Sequence, residues 1–80
     1  MYNKEYLEMG HIGTYTDNAF SALKVYQIDE HDYKIRYMWF YDGRPDSRMT
    51  TANINMTAAG RPYFTTRGHR IHLDEVIREH

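Results

Sequence analysis

The side chains able to do chemistry are few and scattered. Histidines stand at His11, His31, His69, His72 and His80, with carboxylates at Asp74 and Glu75 beside the second-last of them. A shared metal ion needs its ligands on one face. His69 and His72 lie three positions apart, which on a strand sends them to opposite faces, and no His-x-x-x-His pair exists to put two imidazoles on one side of a helix. They read as surface or boundary histidines, and no metal site is expected. Asp29, Glu30 and Asp32 surround His31, but the ligand spacing of a calcium-binding loop is missing and the cluster reads as a solvated turn.

Covalent catalysis also lacks a candidate. There is no cysteine, and Ser21 and Ser47 lie outside any Gly-x-Ser-x-Gly elbow. Gly10-His11-Ile12-Gly13 lacks the further glycine and the lysine that make a phosphate loop. Neither a catalytic residue nor a cofactor is expected. Asn55-Met56-Thr57 matches a glycosylation sequon, which matters only in a secreted chain and carries no weight here.

What remains is binding chemistry. Tyr33-Lys34-Ile35-Arg36-Tyr37 alternates aromatic and basic residues, as surfaces that grip single-stranded nucleic acid do, and Arg61, Arg67 and Arg70 could add a second basic edge. The glycine-separated aromatics of the common RNA-recognition strand are absent. Charge opposes this reading. Ten basic against eleven acidic residues give a net charge of −1, with both signs mixed along the chain, whereas a nucleic-acid binder is usually basic. The plainer account of the same tyrosines is a core face, with Lys34 and Arg36 solvated outside.

The element that must carry these residues is Asp32–Gly43. Alternation places Tyr33, Ile35, Tyr37, Trp39 and Tyr41 on one side of a strand and Lys34, Arg36, Met38, Phe40 and Asp42 on the other. The first face is wholly apolar or aromatic. The second is basic and then apolar, so the strand is expected half exposed at Lys34 and Arg36 and covered on both sides near Met38 and Phe40.

Around it the chain supplies short partners. Residues 1–9 suit one helical turn or a short edge strand. Ala19–Tyr26 reads either as a helix capped by Thr16 or Asp17 or as part of a strand running to Ile28. The composition of Val25-Tyr26-Gln27-Ile28 and the polar turn Asp29–Asp32 favour the strand, with Phe20, Ala22, Tyr26 and Ile28 on one face and Leu23 and Val25 on the other. Asp42–Ser47 is a loop. Arg48–Met56 alternates again as a third strand, and Tyr63–Leu73 forms a hairpin turning at Gly68. Asp74 can cap a short helix over Glu75–Glu79.

These elements make a mainly β domain, with α+β as the variant if Ala19–Tyr26 were helical. The expected fold is a small antiparallel sheet or barrel of four to five strands with one short C-terminal helix, and residues 1–80 form a single domain. At 80 residues such a domain buries only about 60–65% of its unfolded surface. Without disulfides its core must rest on large side chains, and the lack of cysteine suggests a reducing, cytoplasmic setting. No apolar run suits a membrane span, and Met1–Tyr6 lacks the order of a signal peptide.

Size, missing cysteine and tyrosine-rich strands are similar to those of small accessory proteins encoded by phages and mobile elements, a likeness that implies an inhibitor or accessory role. With twelve aromatics, eight of them tyrosine, the expected function is a non-enzymatic protein-binding module acting through a Tyr/Trp/Arg-rich surface, or associating with itself. Nucleic-acid binding is the alternative. The candidate contact residues are Lys34, Arg36, Met38, Phe40, Tyr41, Arg67 and Arg70. Met38 and Phe40 belong to that set only if nothing covers them.

Overall fold

Alternation from Ile35 to Trp39 does produce the central strand. The computed structural model describes residues 11–78, in which the strands are β1 (Gly13–Thr16), β2 (Ser21–Asp29), β3 (Lys34–Tyr41), β4 (Arg44–Pro45), β5 (Thr50–Asn53), β6 (Asn55–Met56), β7 (Pro62–Thr66), β8 (His69–His72) and β9 (Ile77–Arg78). The expectations for residues 1–9, for the end of the terminal helix and for His80 lie outside the described residues. All pairings are antiparallel. One sheet runs β4-β3-β2-β1-β9, with β5 beside β3 as well, and the other runs β6-β7-β8. The chain is mainly β, and the sheets do not close into a barrel.

Ala19–Ile28 resolves as strand, with β2 starting at Ser21. Its faces differ from simple alternation. The β2–β3 register slips between Val25 and Gln27, so Tyr26 is an extra, bulged residue. Beyond it the face assignment inverts, and Ile28 joins Leu23 and Val25 against the core. A bulge leaves no mark in the hydrophobic pattern, which is why alternation alone grouped Ile28 with Phe20 and Tyr26.

The turns follow their residues. Asn18 Oδ1 accepts from Phe20 N–H and Ser21 N–H (2.8 and 2.9 Å), and Asp29 Oδ1 accepts from His31 N–H and Asp32 N–H (3.0 Å each), so each side chain closes its own turn. Asp42-Gly43 and Arg67-Gly68 both sit at positive φ (50° and 77°, 51° and 75°). That is the two-residue hairpin geometry that glycine makes accessible.

The third strand is broken. β5 pairs with β3 as expected, but at Ile54, whose N–H donates to the Tyr33 carbonyl (2.7 Å), the chain leaves the first sheet, and β6 joins the second. The short C-terminal helix is a single 3-10 turn over Leu73–Glu75. Ile77 and Arg78 then extend as β9 along β1, because the turn is too short to propagate.

One core joins the sheets. Leu23, Val25, Ile35, Tyr37 and Trp39 from the first meet Ile54, Phe64, Ile71 and Val76, and burying each fully enclosed aliphatic or Phe side chain stabilises by about 1.5–3 kcal/mol. The Tyr37 and Phe64 rings lie 5.1 Å apart. Trp39 is also tied by polar bonds. Its indole N–H donates to Thr66 Oγ1 across the core (2.9 Å), its backbone N–H donates to Ser47 Oγ (2.9 Å), and its carbonyl accepts from Asp46 N–H (2.9 Å). Thr66 is buried, so removing its hydroxyl strands the indole N–H. Thr66→Val is expected to lower unfolding free energy by about 1–3 kcal/mol in urea titration, with Thr66→Ser close to the native chain. Equal stability of Thr66→Val and the native chain would show that the bond contributes nothing.

Candidate functional site

The first sheet is longer than the second. β2 has nine residues and β7 has five, lengths of about 30 and 16 Å at the usual rise per residue. The β2–β3 hairpin therefore overhangs its cover. At the hairpin's turn end the overhang, the break at Ile54 and the Leu73–Glu75 turn form a groove of about 550 Å³, lined by Ile28, Tyr33, Ile54, Met56, Pro62, Leu73 and Val76, with the exposed carboxylates Glu30 and Asp74 at its rim. This size and apolar character suit ligand recognition. Tyr33 and Met56 stand at the mouth more than half exposed.

The far wall is clamped in place. Arg61 donates through Nε and an Nη to the two carboxylate oxygens of Asp74 (2.7 Å each) and lies 3.7 Å from Glu75. Glu75 in turn accepts from His72 N–H (3.4 Å). Thr57–Arg61 is closed by Thr57 N–H to the Arg61 carbonyl, Gly60 N–H to the Thr57 carbonyl and Arg61 N–H to Thr57 Oγ1. Asp74 is thus already paired. Glu30 forms no ion pair among the described residues, and it is the rim charge left to meet a ligand.

At the opposite end of the same hairpin lies a second apolar feature. Phe20 and Tyr41 are 59% and 53% exposed, and their rings sit 6.1 Å apart at a 36° tilt. The Asn18 turn, the Asp42 N–H to Phe20 carbonyl bond (2.8 Å) and the Asp42-Gly43 turn hold the pair. Arg44 stands directly across from Tyr41 in the ladder and makes no ion pair among the described residues.

The residues expected to make contact are not brought together. Lys34 is exposed at the start of β3 and Arg36 is half-buried on the outer face. Met38 and Phe40 are 2% and 6% exposed, with Lys24 Nζ 4.5 Å from the Phe40 ring centroid. The cover expected over the second half of β3 is present, and it removes both residues from any contact surface. Arg67 is spent on structure: its guanidinium lies 4.8 Å over the Trp39 ring and binds Asp46 (3.1 Å). Arg70 is exposed and stacks on Tyr63 at 4.1 Å, beside His72. Tyr37 is in the core, so the Tyr33–Tyr37 alternation presents only Tyr33 to solvent. Of His69, His72, Asp74 and Glu75, only Asp74 reaches the groove, and no three metal-binding side chains gather among the described residues.

Phe20 and most of the groove escaped the sequence reading. Phe20 and Tyr33 were visible as large aromatics at strand ends, where cover runs out. Met56, Leu73 and Val76 meet Ile28 only through the crossing at Ile54, which no local pattern announces. No helix among the described residues is long and apolar enough to cross a membrane. Comparison with protein-family models, curated proteins and solved structures finds no match.

The clamp makes a pH prediction. The Arg61 hydrogen bonds hold the Asp74 carboxyl below its ordinary value of 3.8, so the clamp is present above that value and lost as pH falls through the lower folded value. Carbon-detected NMR titration should place the Asp74 midpoint below 3.8, and Arg61→Gln should return it toward 3.8. An unchanged midpoint in the variant would mean that Arg61 does not set it.

Proposed function

We propose that this chain is a non-enzymatic protein-binding module whose contact site is the groove at the turn end of the β2–β3 hairpin. The carrying observation is the groove itself: seven apolar or aromatic side chains around about 550 Å³, with a clamped wall and one unpaired carboxylate, Glu30, on the rim. Apolar walls favour a large apolar or aromatic side chain, and Glu30 favours a basic neighbour on the incoming segment. The partner is therefore a protein segment that carries an exposed aromatic beside an arginine or lysine. The lining holds no histidine, serine or threonine, and its mostly apolar walls support binding.

The test uses a short acetylated and amidated peptide with phenylalanine next to arginine, titrated into the labelled protein and followed by amide NMR. Shifts are expected at Ile28, Tyr33, Ile54, Met56 and Leu73. Replacing the peptide's arginine by glutamate, or introducing Met56→Glu at the exposed mouth, should weaken binding about tenfold or more, the loss typical of a central contact. Shifts confined to the outer face of the first sheet, or equal affinity for the acidic peptide, would reject the groove.

A further inference from the structure

We infer that the segment this groove accepts is a second copy of the chain, which inserts its Phe20–Tyr41 pair, so that copies join head to tail. The inference rests on the groove reading above and names the partner. Three observations carry it. An apolar recess adjoins the turn end of the β2–β3 hairpin, and an exposed aromatic pair, Phe20 and Tyr41, stands at the other end. The projection has the chemistry the recess requires: two neighbouring aromatics with Arg44 directly across the ladder from Tyr41, to complement the unpaired Glu30 of the rim. Asp42 beside the pair and Lys34 beyond the rim repeat the complementarity with signs reversed.

The third observation concerns distance. Ser21 pairs with Tyr41 at one end of the hairpin and Asp29 with Lys34 at the other, a separation of about 26 Å along the strands. A chain cannot place its own Phe20 in its own groove. The contact must be intermolecular, and it joins two different surfaces rather than one surface to its like. Such a contact either closes on itself, at two members as a reciprocal dimer in which each copy fills the other's groove or at more members as a larger ring, or leaves a free groove at one end and a free aromatic pair at the other and grows into a filament. The Asn18 turn and the Asp42 N–H to Phe20 carbonyl bond order the backbone that carries the pair, so little loop freedom is lost on insertion.

Two variants, each spoiling one surface, test the scheme. Phe20→Ser removes the projection and keeps the groove; Met56→Glu spoils the groove and keeps the projection. Both sites are exposed, and folding of each variant is checked by circular dichroism. In sedimentation velocity the native chain should associate, as a reciprocal dimer or a larger assembly, as concentration rises to the millimolar range, while each variant alone stays monomeric. An equimolar mixture of the two should form a one-to-one dimer and nothing larger, because each member has one spent surface. Charge reversal gives an independent reading: Glu30→Arg or Arg44→Glu alone should weaken association about tenfold, and the two changes together in one chain should restore it. A native chain that remains monomeric, a single variant that still assembles or a mixture that stays monomeric would each overturn the inference. The Phe-Arg peptide is titrated into Phe20→Ser in parallel. If it binds while the native chain stays monomeric, self-association falls and the groove reading stands; if it does not bind, both fall.

Discussion

The structure depends on one polar bond in an apolar place, the Trp39 indole N–H to the Thr66 hydroxyl. Apolar contacts between two sheets are tolerant of sliding, because any apolar side chain satisfies any other. A buried donor is not tolerant: it must meet an acceptor at one distance and one direction, or carry the full cost of lost solvation. Since Trp39 sits on β3 and Thr66 on β7, that requirement selects one placement of the second sheet over the first. Arg67 follows from the same placement. Its position in the turn after Thr66 puts its guanidinium over the Trp39 ring and within reach of Asp46, so the two loops beside the tryptophan are closed by the residue that the bond brought there.

Once the second sheet is fixed against the middle of β3, its shortness decides what stays bare. β7 and β8 span five and four residues against nine and eight in β2 and β3. The core is complete around Leu23, Val25, Ile35, Tyr37 and Trp39, and cover fails at both ends of the hairpin. At the turn end, the Leu73–Glu75 turn partly replaces the missing strand and borders a recess. At the other end nothing comparable is present among the described residues, and Phe20 and Tyr41 lie side by side. Both candidate contact surfaces are therefore consequences of one length mismatch.

Much of this was legible in the residues. Alternation identified β3 and the middle of its core face, Ile35, Tyr37 and Trp39, because strand periodicity and burial agree where a strand lies under a sheet; Tyr33 and Tyr41, expected on the same core face, are exposed because the cover ends short of them. Asp42-Gly43 and Arg67-Gly68 identified their hairpins, since the required positive φ is a property of those residues. Composition favoured strand over helix for β2. What stayed hidden depends on contacts between distant segments. The bulge at Tyr26 moved Ile28 to the core face, and the crossing at Ile54 brought Met56 and Val76 toward Ile28. Met38 and Phe40 were correctly expected to be covered on both sides, and that same cover excludes them from the surface on which they were also placed. Arg67 has the chemistry of a contact residue and uses part of it internally, on Trp39 and Asp46.

An 80-residue chain cannot cover every aromatic it carries, because surface falls more slowly than volume as domains shrink. The informative question is where the excess lies. Scattered aromatics at the surface of a small domain need no explanation. Here Phe20 and Tyr41 are paired, held by side-chain and backbone hydrogen bonds, and set beside an arginine without an ion-pair partner among the described residues; Tyr33 and Met56 flank a recess whose wall is fixed by a bidentate ion pair. Ordering exposed apolar groups costs conformational freedom without hydrophobic return in the isolated chain. Under the proposed self-association that return comes when the surface is covered, since a recess and a projection of matching chemistry at opposite ends of one hairpin each supply the cover that the other lacks.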